Sequence, residues 1–294
     1  MNTDTMKYLI VPDVHGRKFW EKPVRKVLSE TEKKIIFLGD YLDPYDYEEI
    51  YPVDAIREFK KILTLKQANP DRIILLLGNH DVENLDPRAH KVRFDYVNAE
   101  SNAKLYQDNK DLFEFVHIDE FAGKTFIFSH AGFNPGWLEY NCDNIPAFCP
   151  PEDCTSEELW DMAANVDIIK NTDWKDLYFN GTPRQKDMFN DVSSWRGGED
   201  SYSSPIWADV KESINILDGR VKWNDSVQIV GHSQQENKPV RLDDKLYCLD
   251  VRRCFILTEN GTVTELDGTE LENNGEALLN DYYDRIKKYG GFFW

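Results

Sequence analysis

Residues 72–81 read RIILLLGNHD. Five apolar residues, Ile73 to Leu77, run directly into Gly78 and then Asn79, His80 and Asp81. A short run that is apolar on both faces and stopped by glycine reads as a buried central strand. Such a strand normally ends in turn chemistry that faces water. Here each of the three polar residues can bind a metal, move a proton or hold a neighbour that does.

The same pattern recurs along the chain. KYLIVPDVHG (7–16), KKIIFLGDYLD (33–43), KTFIFSHAG (124–132) and SVQIVGHS (226–233) each end an aliphatic run in a polar cluster. Between the early runs lie KFWEKPVRKVLSE (18–30) and PVDAIREFKKILTLKQAN (52–69), apolar at three- and four-residue spacing. In the second, Val53, Ile56, Phe59, Ile62 and Leu63 form one stripe, and Pro52 suits a helix's first turn. Strand–helix alternation predicts an α/β fold with right-handed crossovers. Ligands in such sheets gather beyond the carboxyl ends of the strands, where all five clusters fall.

After residue 133 the rhythm breaks. Residues at about 134–200 are expected to form an insertion that covers or shapes the site, with one helix near 155–170. Residues 245–266 predict antiparallel strands turning at Asn260-Gly261. The whole chain, 1–294, reads as one domain with a C-terminal extension from about 268.

Composition narrows the function. The formal net charge is −18, from 53 acidic and 35 basic residues, so the surface repels nucleic acid and anionic membrane. The start carries no basic segment before a long apolar run, which argues against a secretory signal. No stretch approaches the roughly 20 apolar residues needed to span a bilayer. Five cysteines in a long chain favour reduced thiols and a cytoplasmic location. Cys142, Cys149 and Cys154 lack a paired Cys-x2-Cys knuckle and read as free thiols. His90 and His117 read as surface or core residues.

Asp13, His15, Asp40, Asn79, His130 and His232 make a mixed oxygen and imidazole set suited to two divalent ions, with one carboxylate bridging. Such donors suit manganese first, with iron, zinc or nickel also compatible, over calcium or magnesium. Two ions leave the site net positive even in an acidic protein, so it can hold a phosphate.

DVHG, GDYLD, GNHD, SHAG and GHS, in this order, resemble the calcineurin-like metallophosphoesterase signature over about residues 7–250. The resemblance implies an α-β-β-α sandwich with mixed sheets. It also implies that Asp13, His15 and Asp40 hold the first metal. Asp40 would bridge to the second, completed by Asn79, His130 and His232. His80 would donate a proton to the leaving alkoxide, oriented by Asp43. Asp81 is expected to support this site or to cap the next helix.

Two positions depart from the pattern. Where many phosphodiesterase members carry a second histidine in the last motif, this chain has Gln234. That leans towards the branch resembling Ser/Thr protein phosphatases and dinucleoside tetraphosphatases. That branch places an arginine after the GDYxD aspartate, and here it is Pro44. Arg196, in SSWRGG, is the candidate to bind phosphate in its stead. The acidic, tyrosine-rich loop after Asp43 reads as a solvated face or as a selector of cationic or peptide-like substrates.

The expected function is hydrolysis of a phosphomonoester, a phosphoprotein first, by direct attack of a hydroxide activated by two metals. Dinucleoside polyphosphate or phosphodiester hydrolysis on the same site is the alternative. A catalytically silent scaffold is the reading from another class. The expected partner is a phosphorylated protein or small molecule; oligomeric state is left open.

Overall fold

A computed structural model describes residues 5–86, 93–213 and 226–275, and beyond these 277, 278, 280, 284, 287 and 288. His90 and most of the C-terminal stretch lie outside the described residues. Eleven strands among them are β1 (Met6–Val11), β2 (Lys34–Phe37), β3 (Ile73–Leu76), β4 (Phe113–Glu114), β5 (Val116–Phe121), β6 (Lys124–Ser129), β7 (Ser226–Val230), β8 (Val240–Leu242), β9 (Leu246–Cys248), β10 (Phe255–Thr258) and β11 (Val263–Glu265). The chain divides into two compact units: Met1–His117 with Gln234–Pro239 and Leu249–Leu271, and Ile118–Ser233 with Val240–Cys248 and Glu272–Trp294.

The first unit holds a sheet of order β11-β10-β1-β2-β3-β4. β1 to β4 run parallel, β10 runs antiparallel to β1, and β11 antiparallel to β10. Parallel neighbours need crossovers, supplied by helices α1 (Glu21–Glu30), α2 (Pro52–Ala68), α3 (Asn79–Leu85) and α4 (Ala99–Asp108). The strands are buried on both faces because helices must cover a parallel sheet. Against them Tyr41 stacks on Phe59 at 4.9 Å, and Phe59 meets Tyr106 at 4.8 Å. Register places Val11 beside Phe37, and Phe37 beside Leu75. The turns after β1, β2 and β3 therefore leave one edge of the sheet together.

The expected stripe on α2 holds except at Val53, with Ile56 half-buried. Phe59, Ile62 and Leu63 are buried, whereas Val53 is 60% exposed and Ala55 takes its place. At about 100° per residue, Val53 lies some 120° round the helix from Phe59, off the buried face.

The second unit holds a mixed sheet of order β5-β6-β7-β9-β8. β6, β7 and β9 are parallel, and β8 is antiparallel to β9. The 245–266 segment thus divides between sheets. β9 joins this one, and only β10 and β11 form the expected hairpin, with Gly261 at φ 86° in its turn.

Residues 134–200 fold within this second unit as α5 (Pro135–Tyr140), α6 (Ser156–Ala163), α7 (Val166–Asn171), α8 (Trp174–Asn180) and α9 (Pro183–Asp187). The single helix expected near 155–170 is two. Asn165 stops the first and caps the second, its side chain accepting from the Asp167 N–H at 2.9 Å. Trp137 and Trp174 are buried there, each with its indole N–H satisfied, by Asp191 Oδ2 at 2.9 Å and by the Ile169 carbonyl at 3.0 Å. An α/β fold is what the strand pattern predicts, and the two mixed sheets are what the resemblance implies. No helix among the described residues is long and apolar enough to cross a membrane.

Candidate metal centre

In the first unit, three turns at one sheet edge supply the predicted residues. Asp13 and His15 follow β1, Asp40 and Asp43 follow β2, and Asn79 and His80 open α3 directly after β3. All six are at least 95% buried. His15, Asp40 and Asp43 hold left-handed backbones at φ 43°, 53° and 57°. Non-glycine residues rarely adopt that conformation, and it clusters at functional sites.

Gly16, at φ 74°, lets the first turn close. A Cβ there would sit 2.6 Å from Ala55 Cβ on α2.

His15 is positioned through its ring. Nδ1 donates to the Leu42 carbonyl at 2.8 Å, so Nε2 carries the lone pair, and it lies 3.5 Å from Asp40 Oδ2. Burial holds the His15 pKa well below the usual 6.5, against the pull of Asp40. A neutral imidazole facing a carboxylate is what a metal needs. Ligand atoms of His15, Asp40 and His80 all lie within 4.8 Å of one another.

His80 is tuned the other way. Its Nδ1 lies 3.1 Å from Asp43 Oδ2. Burial would lower its pKa, but the charge of Asp40 and the hydrogen bond and charge of Asp43 together raise it. The two rings, 4.9 Å apart, are thus shifted in opposite directions. The local difference is the Nδ1 partner, a backbone carbonyl for His15 and a carboxylate for His80.

Several supporting residues were not singled out from sequence. Asn84, one turn along α3, donates from Nδ2 to Asp43 Oδ2 at 3.0 Å and to the His80 carbonyl at 2.9 Å. Its i, i+4 spacing from His80 was the available signal. Asp81 does both things expected of it. Oδ2 accepts from the N–H of Gly78 at 2.8 Å, capping the start of α3, and from the N–H of Asp40 at 2.7 Å. Oδ1 accepts from the Tyr41 N–H at 3.0 Å and from the Tyr106 hydroxyl. Burial and the charge of Asp40 raise its pKa, opposed by these donors.

Arginines surround the loop after Asp43. Arg17 donates to both oxygens of Glu48 at 2.9 and 3.0 Å and to the Asp13 carbonyl at 3.3 Å. Arg93 lies 3.5 Å over the Tyr45 ring and donates to the Asp43 carbonyl at 3.1 Å. Gln234 Nε2 is 3.5 Å from the Tyr47 hydroxyl. The loop is half solvated, since Tyr47 is 64% exposed while Asp43 is buried.

In the second unit, His130 follows β6 and His232 follows β7, and register sets them side by side. Their Nε2 and Nδ1 atoms are 3.1 Å apart, and the Gly231 N–H donates to the His130 carbonyl at 2.8 Å. His232 is also left-handed, at φ 59°. Arg196 lies behind this pair. It donates to the His232 carbonyl at 3.2 Å and to Ser233 Oγ at 2.9 Å, and pairs with Asp209 at 3.2 Å. These contacts make Arg196 a brace for the His232 turn.

His117 accepts from the Tyr8 hydroxyl at 3.2 Å. All five cysteines are free thiols.

Comparison with known proteins bears on the family. A family model described as calcineurin-like phosphoesterase matches residues 6–235. The serine/threonine-protein phosphatase 4 catalytic subunit of Saccharomyces cerevisiae is 23% identical over 162 residues, covering 54% of this chain and 50% of that protein. A probable serine/threonine-protein phosphatase of Encephalitozoon cuniculi is 24% identical over 154 residues, covering 51% of this chain and 31% of that protein. The chain thus spans half or less of the length of these relatives. Among solved structures, a point mutant of a cold-active protein tyrosine phosphatase superposes with a TM-score of 0.51. It is 16% identical, covers 91% of this chain and 81% of that one, and likens the fold alone. With the family model matching most of the sequence, the chain belongs to the calcineurin-like phosphoesterase family.

Proposed function

We propose that this protein is a metal-dependent phosphomonoesterase acting on phosphoproteins. The observation that carries the reading is geometric: His15 Nε2 faces Asp40 Oδ2 at 3.5 Å, while His80, beside it, has its Nδ1 3.1 Å from Asp43 Oδ2. Asp13, His15 and Asp40 are assigned to one ion, and Asp40, Asn79, His130 and His232 to a second, on the order of the motifs in the sequence. Their imidazole, carboxylate and amide donors fit manganese, iron, zinc or nickel, with manganese first. Such ions supply positive charge to the phosphoryl oxygens and activate water.

The chain's own residues do the rest. His80 gives its Nε2 proton to the departing alkoxide, and Asp43 holds the ring in the required tautomer. Asn84 fixes both partners. Arg196, paired with Asp209, holds the His232 backbone. The substrate is a phosphorylated protein or small molecule, and five free thiols fit a cytoplasmic setting.

The test is hydrolysis with added manganese across an aryl phosphate, an aryl phosphodiester, phosphoserine and phosphotyrosine peptides, and diadenosine tetraphosphate. Asp40→Asn runs beside the wild type. Monoester and phosphopeptide turnover lost in Asp40→Asn supports the reading. Turnover of the diester or dinucleotide alone moves the substrate, and no turnover with any metal overturns it.

A further inference from the structure

Beside the His80–Asp43 pair, and wholly within the first unit, lies a cavity of about 340 Å3. That is the lower end of the roughly 300–1,000 Å3 range of small-molecule sites. Its apolar walls come from Ile56 on α2, from Tyr45, and from Phe94 and Tyr96 ahead of α4. Its polar wall is Asp43, Asp46, Arg93, Asp95 and Asn102.

Two buried acceptors in that wall have no hydrogen-bond partner among the described residues: Asp43 Oδ1 and Asn102 Oδ1. Asp43 is 4% exposed and Asn102 2%. Buried acceptors left without donors are rare and costly, and they point to an occupant that brings donors. Asn102 is fixed by α4, where its N–H donates to the Asn98 carbonyl at 2.8 Å.

Charge decides the kind of donor. Three carboxylates face one guanidinium, and that guanidinium is already placed on the Tyr45 ring and the Asp43 carbonyl. No Lys, Arg or His among the described residues ion-pairs with Asp46 or Asp95, although Asp95 accepts from the Val97 and Asn98 N–H groups. A phosphate would be repelled from such a wall. A cation on an apolar stem suits it, with aromatic faces for the stem and carboxylates for the head.

We propose that this cavity selects the substrate by taking a basic side chain next to the phosphorylated residue. The stem lies between Tyr45, Phe94 and Tyr96, and the ammonium or guanidinium reaches Asn102 Oδ1 and Asp43 Oδ1. Asp43 would then touch both the flanking residue and His80, which ties substrate choice to the proton donor. This rests on the phosphatase reading above and goes further, since it names the class of phosphopeptide.

The experiment uses phosphothreonine peptides carrying lysine, norleucine or glutamate at either position flanking the phosphorylated residue. Norleucine keeps the stem and drops the charge. Lysine should exceed norleucine about tenfold in kcat/KM, the scale of one well-placed charged hydrogen bond, and glutamate should be lowest. Ile56→Trp fills the cavity and Asn102→Leu removes the acceptor. Each should bring the lysine peptide to the norleucine level while turnover of 4-nitrophenyl phosphate stays unchanged. Asn102→Leu decides the matter where Ile56→Trp does not fold.

An equal ranking in the wild type, or a lysine preference that survives both variants, overturns the proposal. Fluorescence anisotropy on the same peptides separates the two ideas. If none is hydrolysed, the phosphatase reading fails, and a lysine preference in binding that Ile56→Trp or Asn102→Leu abolishes still supports the cavity. Absence of that preference in binding sinks it.

Discussion

His80 Nδ1 lies 3.1 Å from Asp43 Oδ2, and the same oxygen accepts from Asn84 Nδ2 at 3.0 Å. One carboxylate oxygen thus receives both the imidazole and the amide that holds it. His80→Asn should lower kcat by about 10²–10⁴-fold, the usual worth of a general acid. Metal content by elemental analysis should be unchanged. A variant that turns over like the wild type would remove His80 as the acid.

The pH profile follows from the same contact. Against the effect of burial, Asp40 and Asp43 together raise the His80 pKa above the usual 6.5, and Asp43 does so through both its charge and its hydrogen bond. Activity that needs protonated His80 falls as pH rises through that raised value. Asp43→Asn deletes the charge and weakens the hydrogen bond, so the alkaline limb of kcat should move to lower pH. The check is kcat measured across roughly pH 5 to 9, the range in which histidine titrates. A limb that stays in place would assign it to another group.

Asn84 tests positioning separately from proton transfer. Asn84→Ala frees the Asp43 carboxylate on one side and the end of the first turn of α3 on the other. It should cost roughly tenfold in kcat with little change in KM, a loss of about one charged hydrogen bond in the transition state. A rise in KM at constant kcat would place Asn84 in substrate binding instead.

Asp81 is a stability prediction. Its carboxylate satisfies three backbone N–H groups and the Tyr106 hydroxyl in the interior. Asp81→Ala strands several of these donors at once. Each unsatisfied group costs about 1–3 kcal/mol, so a loss of at least about 3 kcal/mol is expected. Thermal unfolding of the first unit should show a fall of roughly 6–12 °C. A fall under about 2 °C would mean water replaces the carboxylate.

The sequence made the strands and the site residues legible for one reason. An aliphatic run stopped by Gly or Pro fixes where a parallel strand ends, and the chemistry sits at that end. Gly78-Asn79-His80 could be read because strand, turn and ligand are contiguous. Asp81 could be read only in part, since Tyr106 reaches it from 25 residues away. Arg93 on Tyr45 was hidden similarly, because a contact between two irregular segments leaves no period to detect. The break in the expected 155–170 helix falls at Asn165, whose side chain caps α7, and asparagine is a good cap. Backbone strain at His15, Asp40, Asp43 and His232 leaves only a weak signature, since Asp and His enter the left-handed region more readily than most residues but seldom do so.

Asp191 offers a test outside the metal chemistry. Its Oδ2 accepts from Trp137 Nε1 at 2.9 Å and Asn141 Nδ2 at 3.0 Å, and burial pushes its pKa up to about 6. The usual aspartate value, 3.8, applies to the unfolded chain. Between about pH 4 and 6 the unfolded chain therefore binds fewer protons at this group, and stability falls as pH rises through that window. At pH 7 the folded state holds a carboxylate it would rather keep neutral. Asp191→Asn keeps an oxygen to accept both hydrogen bonds and removes the charge. It should stabilise the protein by about 1 kcal/mol at pH 7, a rise of roughly 2–4 °C in Tm. The slope of Tm between pH 4 and 6 should flatten as well. Unfolding followed at pH 4, 5, 6 and 7 decides it, since equal slopes in the two proteins would mean that Asp191 is ionised throughout.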